Sequence, residues 1–205
     1  MRGIGLVKAM EYSAGMVSQV FAFVETRKTA DLYNKGLSKD EAWEKISAEN
    51  LYQLKNPTRL RRTFNYINNR LKSLPDKVVH QLPVLDTDSA KILVLISIMK
   101  TDLLFFEFVY EVYRGKVILG EKNIENRDIN GFFDDKASQS EIVSSWSEAG
   151  IKKLKNYYIR NLVDAGLLED NKSKRIKPAL INYRVEELLV KNGMEAFVKA
   201  VKGER

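Results

Sequence analysis

Between positions 152 and 160 the sequence places Lys152, Lys153, Lys155, Asn156, Tyr157 and Arg160 within a few turns of a helix. These residue types hold anions and hydrogen-bond base edges; they do not make or break bonds. At helical spacing Lys153, Asn156, Tyr157 and Arg160 share an outward face, flanked by Lys152 and Lys155, while Ile151, Leu154, Tyr158, Leu162 and Ala165 face a core. The helix would open near Ser145 to Ser147, where Ser147 and the free amides of the first turn attract a phosphate. Such a helix alone is equally compatible with a solvated basic surface. The segment after it favours binding: Lys172, Lys174, Arg175 and Lys177 cluster in an expected hairpin whose tip could track a phosphate backbone.

A second basic element precedes it. Between Gln53 and Lys72 stand Lys55, Arg59, Arg61, Arg62, Arg70 and Lys72 without one acidic residue. Leu60, Phe64, Ile67 and Leu71 form its apolar stripe, which leaves Arg59, Arg62, Tyr66 and Arg70 on an adjoining exposed face suited to phosphates or unpaired bases. The alternative is a helix whose arginines pair with Asp31, Glu41 or Glu44. If both basic elements bind, the footprint exceeds one half-site.

Other chemistries lack their residues. There is no cysteine, hence no thiolate nucleophile, disulfide framework or thiolate metal site, and the single histidine, His80, builds neither a triad nor a metal cluster. Asp134-Asp135 lacks the spacing of a calcium loop, and Asp86 with Asp88 reads as helix capping. No phosphate-binding glycine loop or nucleophile elbow occurs, so neither an enzyme nor a cofactor is expected. The balance of 34 Lys and Arg against 27 Asp and Glu, a net charge of +7, favours anionic partners. The apolar run from Ile92 to Val112 is broken by Lys100, Asp102, Glu107 and Glu111, too often for a membrane span, and reads as a core helix. Arg2 and Lys8 are not followed by a continuous apolar stretch, so no export signal is read, and a reducing cytoplasm is the expected location.

The elements that must position these residues have legible boundaries. Phe21 to Tyr33 reads as a helix closed by Gly36. Ser38 to Glu41 is a capping box opening a helix to about Asn50, and Asn56-Pro57 starts one to about Leu74. Asp86 or Asp88 caps the apolar region, which Gly115 and Gly120 would close. Helical pieces at Asn126 to Ala137 and Ser140 to Ser144 precede the Ser147 to Ala165 helix, which Gly166 stops. Leu167 to Glu169 and Arg175 to Lys177 read as short strands, and Tyr183 to Val201 as one or two helices. The expected fold is mainly α: a helical bundle over residues 1–120 and a winged-helix-turn-helix-like unit with a small β-hairpin over residues 121–205, with no linker between them.

Several local motifs resemble the BrxA family of BREX (bacteriophage exclusion) systems. They are Tyr12-Ser13-Ala14-Gly15, Phe21 with Glu25-Thr26, Trp43 with Glu49-Asn50-Leu51, Ser145-Trp146-Ser147, Lys152-Lys153-Leu154 and Ala165-Gly166-Leu167-Leu168. The similarity runs from Met10 to the C-terminal helices. It implies a small accessory protein of phage defence that binds double-stranded DNA beside other BREX components, with helix-turn-helix character and some likeness to the NusB fold. That likeness keeps RNA open as a partner. A protein-interaction adaptor that docks acidic subunits on the same basic faces is the rival reading.

Overall fold

A computed structural model describes residues 11–205, so Arg2 and Lys8 lie outside the described part. After a 3-10 turn at Gly15–Ser18, α1 spans Phe23–Asn34, two residues later than the apolar spacing predicts. Ala22 delays it by adopting a left-handed conformation, φ 55°, and its carbonyl accepts from the Thr26 hydroxyl at 2.7 Å. Gly36 closes α1 as expected: its N–H reaches the Tyr33 carbonyl and the Leu37 N–H the Leu32 carbonyl, a complete left-handed termination motif. In α2 (Lys39–Ala48) the capping box is present, with the Glu41 N–H donating to Ser38 Oγ at 3.3 Å and the Ser38 N–H to Glu41 Oε2 at 2.8 Å. Asn56 caps α3 (Pro57–Lys72) by accepting from the Arg59 N–H at 2.9 Å.

The apolar run folds as two helices instead of one. After the short α4 (Asp76–Val79), α5 spans Thr87–Met99 with every residue from Ile92 to Met99 buried. Asp102 then caps α6 (Leu103–Phe108), accepting from the Phe105 N–H at 2.9 Å. A π turn at Val109–Tyr113 leads into α7 (Arg114–Ile118), so Gly115 lies inside the helix it was expected to end. Among the described residues no helix is long and apolar enough to cross a membrane.

The second half supplies α8 (Asn126–Gln139), α9 (Glu141–Ser144), α10 (Glu148–Asp164), α11 (Tyr183–Lys191) and α12 (Glu195–Lys202). The expected β-hairpin is not a strand pair. Glu169 N–H donates to the Arg175 carbonyl and Lys177 N–H to the Leu167 carbonyl, both at 2.9 Å, but the pairing stays at isolated bridges, and no strand occurs among the described residues. Three-residue arms leave no room for a ladder, and Pro178 has no N–H to extend one. Asp170 accepts from the Lys172 and Ser173 amides and makes the turn tight. A second isolated bridge, Asn123 to Arg175, ties the segment before α8 to the returning arm.

One core joins the halves. Tyr158 of α10 packs against Phe105 of α6 at 4.9 Å and Phe108 at 5.3 Å, and against Phe133 of α8 at 5.6 Å between ring centres. Arg70, expected on the exposed face of α3, is instead 1% exposed. Its Nη1 donates to the carbonyls of Val20 at 2.8 Å and Phe21 at 3.3 Å, its Nη2 donates to Gln19 Oε1 at 3.1 Å, and its guanidinium lies over the Tyr66 ring. The extended segment before α1 has carbonyls with no helical partner, and Arg70 supplies their donor. Burial pushes the Arg70 pKa down to about 10, so it stays charged at neutral pH, and raises the nearby buried Asp102 to about 6.

Two outcomes are expected in urea denaturation. Arg70→Ala strands carbonyls that a charged donor now satisfies and is expected to cost about 3 kcal/mol; an unchanged midpoint would place Arg70 outside the core. Gly166 ends α10 at φ +84°, so Gly166→Val is expected to cost roughly 1 kcal/mol or more, and equal stability would refute that strain.

Candidate nucleic-acid interface

The outward side of α10 divides in a way the helical spacing does not show. Ser147 caps the helix, its Oγ accepting from the Gly150 N–H at 3.2 Å. Leu154, Tyr158, Leu162 and Ala165 are buried as expected, joined by Ile159 and Asn161. Lys152, Lys153, Asn156 and Arg160 are exposed. Tyr157, assigned to the same face, is half-buried; burial raises its hydroxyl pKa, and it lies in electrostatic range of Tyr66 and Arg70. It therefore packs against the core instead of standing free on the outward face. Lys155 is half-buried over the Phe133 ring and donates to Asn130 Oδ1 at 2.8 Å, which fixes where its charge sits.

Lys152, Lys155, Asn156 and Arg160 line one side of a 340 Å³ cleft. Asn126, Ile129 and Asn130 of α8 form the opposite wall, and Asn171 and Lys174 of the turn close the end. The lining holds four cations and four amides but no carboxylate. Asn126, Asn130 and Asn171 carried no signal in the sequence beyond polarity, since only the folding of α8 and the turn against α10 brings them together. Lys174 adopts a left-handed φ of 48° at the foot of the turn, on the cleft side.

The remaining hairpin cations are not on this side. Arg175 and Lys177 line a separate cleft of 590 Å³ with Tyr113, Lys122 and Lys202, while Lys172 is exposed on the turn itself. The single basic wing expected from the sequence is thus split between two clefts: Lys174, left-handed at the foot of the turn, lines the first, and Arg175 and Lys177 line the second. Ion pairing consumes little of this charge: Arg160 meets Asp164 at 3.8 Å and Arg175 meets Glu169 at 3.4 Å, both in solvent, where such pairs contribute at most about 1 kcal/mol.

On α3 the buried stripe of Leu60, Phe64, Ile67 and Leu71 forms as expected, and Arg59, Arg61, Arg62 and Lys72 are exposed. Arg61 stacks over Trp43 at 4.3 Å. Asp31 is taken by Lys35 at 2.6 Å and Glu41 by its own cap, and no ion pair to Arg59, Arg61 or Arg62 occurs among the described residues. With Arg70 and Tyr66 turned inward, the exposed basic surface of α3 is concentrated at its N-terminal half.

Comparison with known proteins agrees in family and fold. Residues 10–193 match the BrxA family. A BREX protein BrxA of Bacillus cereus (strain H3081.97) is 38% identical over 200 residues, covering 97% of this chain and all of the relative. A BREX protein BrxA of Paramagnetospirillum magneticum (strain AMB-1) is 21% identical over 190 residues, covering 93% of this chain and 96% of the relative. The crystal structure of an uncharacterized protein from Magnetospirillum magneticum superposes with a TM-score of 0.80 at 19% identity, covering 95% of this chain and all of that one, so the helical fold is shared end to end. By the extent of the family match and the identity to a full-length relative, the chain belongs to the BrxA family of BREX systems.

Proposed function

We propose that the chain is a non-catalytic, cytoplasmic DNA-binding accessory protein of a BREX phage-defence system, acting beside the system's other components. The observation that carries this reading is the cleft on α10, where Lys152, Lys155, Arg160 and Lys174 converge without a carboxylate in the lining. Four cations held against one another in the free protein repel, and an anion relieves that repulsion. Phosphates are the anions that such a set of lysines, arginine and asparagines contacts along a nucleic acid.

The order α8, α9, α10 and paired arms supports a winged-helix-like unit over residues 121–205, with α10 as the helix presented to the nucleic acid and the preceding bundle as its platform. Ser147 sits at the helix N-terminus, and Lys153 and Lys172 extend the basic surface beyond the cleft. Arg59, Arg61 and Arg62 supply the second phosphate-contacting surface.

Titration of the purified protein against a duplex at several salt concentrations tests the reading. Log affinity is expected to fall linearly with log salt, by about 0.9 per phosphate neutralised. Lys152→Ala with Arg160→Ala is expected to weaken binding and make the slope shallower by roughly two contacts. Arg175→Ala with Lys177→Ala, on the other cleft, is expected to leave affinity near that of the unsubstituted protein. Melting curves of both variants stay unchanged because these side chains are exposed. Duplex affinity insensitive to the first pair would move binding off this cleft. No duplex affinity at moderate salt would leave the adaptor reading, and binding confined to RNA would replace DNA as the partner.

A further inference from the structure

The walls of the α10 cleft constrain how a nucleic acid can be held there. An α-helix with its side chains is about 10–12 Å across, and the major groove of B-DNA is about 12 Å wide. A helix that reads base edges therefore fills the groove and leaves no space for a wall beside the face that points at the bases. On α10 that face is walled. Asn156 and Arg160, two side chains able to make bidentate pairs with base edges, open onto the cleft, and α8 stands across from them. The turn at Asn171 and Lys174 closes the end.

The dimensions and lining fit a smaller object. A volume of 340 Å³ is at the small end of ligand-sized clefts and has room for a nucleotide-sized unit. Two buried isoleucines, Ile129 and Ile159, contribute apolar surface to the lining, against which a sugar can lie. Lys155 is held in position by Asn130 and Phe133 before any ligand arrives, so little side-chain freedom remains to be lost on binding.

We infer that this cleft seats a single sugar–phosphate strand, with α10 contacting backbone in place of base edges, so that nucleic acid is bound without sequence preference. The inference rests on the nucleic-acid-binding reading of the same cleft. Asn130 and Asn171 then donate to phosphate oxygens from the wall and the end of the cleft, beside the cations.

The test combines competition with selection from a pool of randomised duplexes. Unlabelled duplexes of unrelated sequence are expected to displace a labelled duplex within about twofold of one another, with single-stranded DNA competing, because backbone contacts carry no sequence information. Asn130→Ala with Asn171→Ala, both exposed, is expected to weaken every sequence by the same factor, about tenfold, with an unchanged melting curve. A motif enriched from the pool and bound about a thousandfold tighter than random duplex, with that preference lost in Asn156→Ala, would overturn the inference while leaving DNA binding intact. Equal affinity in the Asn130→Ala, Asn171→Ala protein would overturn it too, removing the strand from the cleft. Failure to bind any nucleic acid would overturn this inference and the proposed function together.

Discussion

The packing of Tyr158 against Phe105, Phe108 and Phe133 is the constraint on which the rest of the molecule depends. These four rings come from α10, α6 with the residue that ends it, and α8, and all are buried. Aromatic pairs at these separations contribute beyond their area and fix orientation as well as distance. The basic helix is therefore anchored by its inward side to the most apolar segment of the chain. Its cations keep a defined relation to α8 because Phe133 touches Tyr158 on one side and carries the Lys155 ammonium over its ring.

Buried charge shows the same dependence of one half on the other. Lys136 of α8 donates to Glu111 Oε1 and bridges to Glu107 Oε2, each at 2.8 Å, while the Tyr12 hydroxyl donates to Glu107 Oε2 at 2.8 Å. Burial alone would lower the Lys136 pKa, but the hydrogen bonds it donates to the two carboxylates, together with their charge, outweigh it and raise the value. Because the folded pKa is raised, this contribution is present throughout neutral pH and is lost only as alkaline pH passes through it. Glu107 and Glu111, two of the charges interrupting the apolar run, are thus partners of α8. They serve packing as well as breaking the hydropathy of a membrane-like sequence.

The cations of α3 divide according to what the interior takes. Arg70 is consumed by carbonyls of the segment before α1, whereas Arg59 and Arg62, on the same helix, remain in solvent. On α10, Tyr157 turns inward and Asn156 and Arg160 do not. The cleft is basic because each wall contributes cations or amides and none contributes a carboxylate.

Much of the helical framework was legible in local sequence. The Ser38–Glu41 box, the Asn56-Pro57 start, the Gly36 and Gly166 stops and the buried stripes of α3 and α10 depend on residues within a turn of one another, and they form as their spacing dictates. So was the family, since its motifs are strings of neighbouring residues. The break at Asp102 was masked by the apolar residues on both sides, although the capping aspartate was in view. The arms after α10 were read as strands from composition, but three-residue arms do not sustain a ladder. Tertiary structure alone decided which cations are available and which share a face. Arg70 went inward because an extended segment some fifty positions earlier needed donors, and Asn126, Asn130 and Asn171 joined α10 because α8 and the turn pack against it. Helical periodicity fixes which side of a helix a residue occupies. Whether that side meets solvent, a carbonyl or another wall is set by segments distant in the chain, where no local spacing carries the information.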